Sequence, residues 1–177
     1  MDITKFAILK KLAGGGGGGG DHADEDAIVS GTITEYTNDR VTSIRDYAFC
    51  LCKSLTSVHF PAATSICNSA FNECINLTSA EFPVATSIGE YAFSDCSNLT
   101  SLILRVTTQV CTLSSMFDFD GSPIADSKGY IYVPSALIDS YKTETYWSSY
   151  ANQFRALESY TVDGTTTGEL DPTKVNA

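Results

Sequence analysis

Several features that mark common protein classes are scarce in this sequence. No apolar run approaches the roughly 18 residues that a helix needs to cross a bilayer, so membrane insertion is not expected. Basic residues are few: 11 lysines and arginines stand against 21 acidic residues. The resulting net charge of −10 disfavours nucleic acid and anionic membranes as partners. What is present, 177 residues with 43% apolar content, suffices for one domain with a continuous core.

A 22-residue repeat runs through the middle of the chain. Its copies begin at Thr42, Thr64 and Thr86 and share the form TSI-x-x-x-A-F-x-x-C-x-x-L-T-S. The aligned apolar positions are Ile44, Ile66 and Ile88; Phe49, Phe71 and Phe93; Cys52, Cys74 and Cys96; and Leu55, Leu77 and Leu99. One such unit cannot bury its own apolar face, so neighbouring units stack and share a core. The repeat therefore predicts a solenoid of about five rungs, built from short parallel strands.

The two ends of the repeat region follow the same register less closely. Shifted by one repeat, Tyr36 falls on Val58, so residues 28–40 are expected to form an N-terminal cap and the first rung. Beyond the third copy the pattern loosens, and Val110 is expected to continue the column of Ile88. With its cap, the solenoid is predicted to occupy residues 21–134.

The last part of the chain is expected to close the solenoid. A strand over 129–134 leads to a helix for which Ser135 is a plausible N-cap. A second amphipathic helix is predicted over 146–157, with Trp147 covering the exposed end of the core. Residues 135–160 are thus assigned to a helical C-terminal cap. The polar residues 161–177 are expected to form a flexible tail.

The N-terminal residues form a separate segment. Three lysines accompany four apolar residues at helical spacing, namely Ile3, Phe6, Leu9 and Leu12. This pattern predicts a short helix that docks in a groove of a partner, the alternative being a frayed end without function. Seven glycines at 14–20 are expected to act as a flexible linker, so 1–20 is assigned as docking peptide and linker. Because Lys10 and Lys11 end the apolar stretch, a standard signal peptide is not expected.

The six cysteines are not expected to form disulfides. Cys52, Cys74 and Cys96 share one inward column, and rungs about 4.8 Å apart place parallel side chains poorly for a bridge. Cys67 and Cys111 are expected to share another column, separated by an intervening rung. We expect all six to be reduced and the first three to act as small buried hydrophobic residues.

The repeat units resemble the BspA-like leucine-rich repeats, which occur in surface proteins of gut and oral bacteria and in proteins of their phages. The resemblance covers residues 28–134 and departs from the pattern at Arg105, where the usual proline is lost. The ending GYIYVPSALIDSYKTETYWSSYANQFRALE is similar to the closing segment of such proteins. The opening MDI-x-KFAI-x-KKLA with its polyglycine is similar to openings of predicted phage virion proteins. The resemblance implies adhesion or ligand binding rather than catalysis.

The outward positions of the strands are predicted to form columns. One column contains Thr37, His59, Glu81, Ile103 and Tyr132, and its neighbour contains Glu35, Ser57, Ser79, Ser101 and Tyr130. The candidate ligand-binding residues on this strand face are His59, Glu81, Ile103, Arg105, Tyr130 and Tyr132. Aromatic faces beside a fixed charge suit a carbohydrate ring or a protein hot spot. The alternative is that the tyrosines only shield the last rung.

Residues for catalysis or metal binding are few. Histidine occurs only as His22, in an acidic stretch, and as His59. His59 beside Glu81 has the residue types of a base and its orienting carboxylate, but no nucleophile completes the set. A structural pair across rungs is favoured. Cys50-x-Cys52 lacks the spacing of a zinc site. We therefore expect no catalytic residue, no metal and no cofactor.

The sequence thus predicts a non-enzymatic recognition and display module. Its strand face is expected to bind a cell-surface protein or glycan, and its N-terminal peptide to attach it to a virion or tail component. The protein is expected to be virion-associated, or made in the cytoplasm without a standard signal peptide. The alternatives are a bacterial cell-surface adhesin and a structural decoration protein without a ligand.

Overall fold

Two parallel sheets organise the protein. The computed structural model describes residues 34–157, 159–162 and 165–169. With strands numbered in chain order, the larger sheet contains β1 (Glu35–Thr37), β3 (Ser57–His59), β5 (Ser79–Phe82), β7 (Ser101–Leu104), β9 (Tyr130–Pro134) and β10 (Phe154–Leu157). The smaller sheet contains β2 (Ser43–Ile44), β4 (Ser65–Ile66), β6 (Ser87–Ile88) and β8 (Thr112–Leu113). The strands of each sheet are named here in spatial order. Each of the three 22-residue copies contributes one strand to the smaller sheet and one to the larger sheet.

The strand register confirms the 22-residue repeat. Val58 pairs with Ala80 in the larger sheet, and Ile44 pairs with Ile66 in the smaller one. Tyr36 pairs with Val58, which confirms that the segment before the first full copy forms a rung. The fold is therefore the predicted leucine-rich-repeat solenoid of stacked short parallel strands, with a short helix near its C-terminal end.

Two columns of phenylalanine rings run through the core of the solenoid. In one column, adjacent rings stack with centroids 5.1 Å apart for Phe49–Phe71 and 5.4 Å for Phe71–Phe93. In the other column, Phe60 and Phe82 stack at 5.9 Å. The repeat places the same ring at the same depth in each rung, so the rings stack along the solenoid axis. This continuous aromatic core contributes apolar burial and ring stacking to stability.

The cysteine column lies in the same core. All six cysteines are present as thiols, as predicted. The Cys74 thiol donates to the carbonyl oxygen of Phe49 at 3.0 Å, and the Cys96 thiol donates to that of Phe71 at 3.1 Å. Burial raises the pKa of Cys96 to about 12 and that of Cys74 well above its ordinary value. These thiols therefore remain protonated and serve packing and hydrogen bonding rather than chemistry.

The turns that follow the smaller sheet form a third ladder, which we term the turn edge (residues 45–52, 67–74, 89–96 and 114–121). Backbone hydrogen bonds join its rungs, for example from Phe49 N to Ala70 O at 2.7 Å. Six non-glycine residues adopt left-handed backbone conformations at repeating positions: Tyr47, Ser69 and Tyr91, and Leu51, Glu73 and Asp95. The hydrogen bonds between rungs offset the cost of this conformation, and four of the six residues, Tyr47, Tyr91, Glu73 and Asp95, are exposed.

The register beyond the third copy differs from the prediction. Leu113, not Val110, pairs with Ile88, so this rung begins three residues late (113 − 88 = 25, against 22). Phe119 then stacks on Phe93 with ring centroids 5.6 Å apart and continues the first aromatic column. The extra residues lie before β8, in a segment without regular structure.

Cys111 consequently lies outside the column of Cys67, and the prediction that the two residues share a column is wrong. Ser114 N donates to Ile88 O as Gly89 N donates to Ile66 O, so Ser114 occupies that column. Cys111 instead contacts the segment that closes the C-terminal end of the solenoid (residues 135–157), which we term the C-terminal closure. Its N–H donates to the Tyr141 hydroxyl oxygen at 2.9 Å, and its carbonyl oxygen accepts from Trp147 Nε1 at 2.5 Å.

Of the two helices predicted in the C-terminal closure, the structure contains the first and not the second. Residues Ser135–Leu137 form a 3-10 turn without a side-chain cap, so Ser135 is not an N-cap, and α1 (Ile138–Thr143) follows. The second helix predicted over 146–157 is wrong, because only Trp147–Tyr150 is a 3-10 turn. Phe154–Leu157 is β10, which pairs with β9 and adds a sixth strand to the larger sheet. Trp147 is nevertheless fully buried against Phe119, with ring centroids 5.9 Å apart, as expected for a cap.

A hairpin follows the solenoid. Strands β11 (Ser159–Val162) and β12 (Thr165–Glu169) pair in antiparallel fashion, so this part of the expected flexible tail contains regular structure. The proposed N-terminal peptide and glycine linker lie outside the described residues and remain predictions, as do the domain boundaries.

Substituting Gly89 by alanine is expected to lower the free energy of unfolding by about 1–3 kcal/mol. A Cβ atom at Gly89 would lie 2.6 Å from Asn68 Oδ1 and 2.7 Å from Asn68 N in the preceding rung. Urea denaturation measures the loss. Ser87→Ala, two residues earlier on a half-buried strand position, is the matched control and is expected to change stability little. Equal midpoints for the two variants would contradict this close approach.

Candidate functional site

The predicted outward columns are present on the larger sheet. Cα pairing joins Thr37, His59, Glu81, Ile103 and Tyr132 into one column, and Glu35, Ser57, Ser79, Ser101 and Tyr130 into its neighbour. Arg155 of β10 pairs with Tyr132 and extends the first column by one rung. Alternation along each strand explains the arrangement, because the residues between these positions point into the core.

Glu81 is the centre of a charged cluster on this strand face. Its Oε1 accepts a hydrogen bond from Arg105 Nε at 2.6 Å. Its Oε2 lies 3.0 Å from His59 Nδ1, close enough for an ion pair but outside the alignment of a hydrogen bond. The predicted contact between His59 and Glu81 is thus confirmed. All three side chains remain partly exposed, so their pairing contributes roughly 0–1 kcal/mol to stability.

The C-terminal end of the strand face is aromatic and cationic. Tyr130 and Tyr132 form an edge-to-face pair with ring centroids 6.4 Å apart. The Arg155 guanidinium carbon lies 4.1 Å from the centroid of the Tyr130 ring. Its Nη1 also donates to the carbonyl oxygens of Asn152 and Phe154 at 2.9 and 2.8 Å. These contacts hold the guanidinium against the ring, and a cation–π contact of this kind is worth about 0.5–2 kcal/mol.

Tyr132 retains its phenolic proton at neutral pH. Partial burial raises the pKa of Tyr132 above its ordinary value, while the positive charge of Arg155 opposes this rise. The hydroxyl can therefore act as both hydrogen-bond donor and acceptor. Tyr130, with 38% of its surface exposed, offers a larger aromatic area beside it.

Ile103 does not contribute a contact surface, contrary to the prediction. Although it occupies an outward position, only 1% of its surface is exposed. It lies between Glu81 and Tyr132 in the column, and Arg105 reaches back to Glu81 beside it. These longer side chains take up the space around the shorter isoleucine. Ile103 supports its neighbours and is not a ligand contact.

Arg155 is a site residue that sequence reasoning missed. The segment around it was predicted to be helical, which gave Arg155 no fixed relation to the tyrosines. In the structure it belongs to a strand in which the flanking Phe154 is buried and Arg155 is exposed. The alternation of Phe154, Arg155 and Ala156 is the signal that favours a strand at this place.

The strand face offers two guanidinium groups, one carboxylate and two phenols at fixed positions. Within residues 34–157 and the two hairpin strands, no group of three or more histidine, cysteine and acidic residues is placed to hold a metal ion. In the same part of the chain, no helix is long and apolar enough to cross a membrane. The docking residues Ile3, Phe6, Leu9 and Leu12 lie outside the described residues.

These features define a leucine-rich-repeat protein, a class whose solenoids are generally non-enzymatic and bind proteins or surface molecules. The family model described as BspA type leucine-rich repeat region, in six copies, matches residues 31–122. The chain therefore belongs to the BspA-type leucine-rich-repeat family and is an interaction or adhesion module. No curated protein matches the chain.

Proposed function

We propose that the protein is a recognition module whose strand face binds a cell-surface protein or glycan. The observation that carries this proposal is the surface at the C-terminal end of the larger sheet. There Arg105, Arg155, Tyr130 and Tyr132 place aromatic and cationic groups side by side on a chain with net charge −10. Arginine and tyrosine are the residue types that most often dominate binding energy at interfaces.

The rigidity of this surface supports the proposal. Each contributing strand is paired on at least one side, and the rung spacing fixes the distances between columns. Little side-chain entropy is lost on binding where Arg155 is already held by two carbonyl oxygens and Arg105 by Glu81. A ligand that spans several rungs, such as an extended glycan or a protein surface, matches the elongated shape of the strand face.

The proposal includes a display arrangement. The N-terminal peptide with Ile3, Phe6, Leu9 and Leu12 would attach the module to a larger assembly, and the polyglycine would separate the two. The similarity of this opening to those of phage virion proteins supports a virion or tail component as that assembly, and hence a virion-associated location. A bacterial surface adhesin is the second candidate, and the family itself favours it.

Binding of the fluorescently labelled full chain to intact bacteria, mucin and matrix proteins tests the proposal. Saturable binding to particular bacteria supports recognition by a virion, whereas binding to mucin or matrix supports the adhesin. Tyr132→Ala and Arg105→Ala are each expected to weaken that binding at least about tenfold, the loss typical of a hot-spot residue. Lys53→Ala removes an exposed charge from the position directly after the first unit of the turn edge and is the matched control.

Two outcomes contradict the proposal. If the folded protein bound none of these surfaces, a structural decoration protein would be the better description. If binding occurred but Tyr132→Ala, Arg105→Ala and Lys53→Ala all retained it, another surface would be responsible.

A further inference from the structure

A second exposed patch lies on the turn edge, away from the strand face. Tyr91 and Phe117 stack with ring centroids 6.2 Å apart and an interplanar angle of 9°. The two residues are 45% and 46% exposed, and the adjacent Met116 is 50% exposed. Grouped large apolar side chains on a surface mark an interaction site. We term Tyr91, Met116 and Phe117 the turn-edge patch.

The turn-edge patch is held in place before any partner binds. Tyr91 N donates to Oδ1 of the buried Asp118 side chain at 2.9 Å, and Phe117 N donates to Ser115 Oγ at 3.1 Å. The Tyr150 hydroxyl of the C-terminal closure donates to the carbonyl oxygen of Met116 at 2.7 Å. The exposed rings therefore lie on two adjacent turns whose backbone is fixed by hydrogen bonds, and a partner would meet a preformed surface.

Acidic residues surround the patch. Glu90 precedes Tyr91. Glu73 and Asp95 occupy equivalent positions in adjacent rungs of the turn edge, and both have a left-handed backbone conformation. All three are exposed. The one basic residue of the turn edge, Arg45, belongs to its first unit, and Lys53 directly follows that unit, so both lie away from the patch. A partner for this surface should therefore combine apolar side chains with positive charge.

The chain itself contains a segment with this chemistry. Residues 1–13 carry three lysines against a single aspartate, together with the four apolar docking residues at helical spacing. Between this segment and Thr34 lie residues 14–33, a stretch of 20 residues that spans at most about 72 Å. Thr34 and the patch are separated by a few rungs of about 4.8 Å each, so the segment can reach the patch.

We propose that residues 1–13 dock on the turn-edge patch of their own chain. Linkage raises the effective concentration of the segment to about the millimolar range, so even weak attraction favours the docked form. Phe6 and Leu9 cover the exposed rings, and the lysines lie near Glu73, Glu90 and Asp95. A larger assembly that binds the same peptide must then displace it, which keeps the apolar residues covered until assembly.

The two methionines of the chain make a specific test available. Met116 lies in the patch and Met1 begins the docking segment, so labelling methionine methyl groups with carbon-13 gives two NMR signals. In the full chain, Phe6→Ser with Leu9→Ser is expected to shift the Met116 signal, because the covering side chains leave. Thr4→Ser with Ile8→Ser alters the side of the segment opposite to these residues and is expected to leave that signal unchanged.

High salt provides an independent readout. Raising the ionic strength of the full chain should move the Met116 signal toward its position in the Phe6→Ser, Leu9→Ser variant, since screening weakens the lysine–carboxylate attraction. Identical Met116 signals in the full chain and this variant would overturn the proposal. A shift that grows with protein concentration and accompanies dimers would also overturn it, by assigning the segment to a second copy. Either failure leaves the strand-face proposal untouched, because Tyr132 and Arg105 lie on another surface.

Discussion

Replacing Phe71 with alanine is expected to lower the free energy of unfolding by about 3–5 kcal/mol. Phe71 is fully buried in the central rung and stacks between Phe49 and Phe93. It also contacts the second column through Phe60 and Phe82, with ring centroids 6.2 and 5.9 Å apart. Stacked rungs on both sides prevent collapse of the space, so the substitution adds a cavity to the loss of apolar burial.

Urea denaturation of the two proteins measures this effect. Phe117→Ala removes the same side chain from the surface, where nearly half of it is exposed, and is the matched control. Its cost is expected to stay at or below about 1 kcal/mol. Comparable midpoint changes for Phe71→Ala and Phe117→Ala would show that the phenylalanine column does not carry the stability assigned to it.

The second large effect concerns the pH dependence of stability and originates at Asp118. This residue occupies the position that alanine holds in the regular repeats, since its carbonyl oxygen accepts from Phe93 N as that of Ala92 accepts from Phe71 N. Its side chain is fully buried. Burial is the main cause that raises the pKa of Asp118 to about 7, with the charge of Glu90 adding to the rise. Hydrogen bonds from the backbone N–H groups of Ser115 and Tyr91 oppose it.

The folded protein is expected to lose stability as the pH rises from the ordinary pKa of 3.8 to the folded-state pKa of about 7. The folded state keeps the Asp118 proton up to about pH 7, whereas the unfolded chain releases it near its ordinary pKa of 3.8. Below both values the group has no effect, and above them the folded state bears a buried charge. The accumulated loss is on the order of a few kcal/mol, because each pKa unit corresponds to about 1.4 kcal/mol. Denaturant midpoints between about pH 4 and pH 8 measure it, because the loss builds up between the two pKa values.

Asp118→Asn isolates this contribution from that of other groups. The amide oxygen can still accept from Tyr91 N, while the ionisable proton and the buried charge are gone. We expect a flatter profile for Asp118→Asn than for the unsubstituted protein, with the difference largest above pH 7. Parallel profiles for the two proteins would mean that Asp118 does not titrate in this range. Asp120→Asn, an exposed neighbour, controls for the general loss of one negative charge.

Much of this structure follows directly from the sequence because it is periodic. A residue at one position of a 22-residue unit has the same surroundings as its equivalents one rung away. Aligning Phe49, Phe71 and Phe93 is therefore enough to predict a buried column. The same reasoning placed His59 beside Glu81 and Tyr130 beside Tyr132 on the outer face, as the strand register confirms.

The tertiary structure alone decided what happens where the period fails. Leu113 follows Ile88 in its column by more than one repeat length because an irregular segment before β8 holds the extra residues outside the core. The local sequence pattern does not show how many residues such a segment contains. Phe154–Leu157 becomes a strand because β9 offers an edge to pair with, which places Arg155 against Tyr130. Ile103 is buried by the longer side chains around it. The repeat determined the solenoid and its columns, whereas contacts between neighbours determined which column residues a ligand can reach.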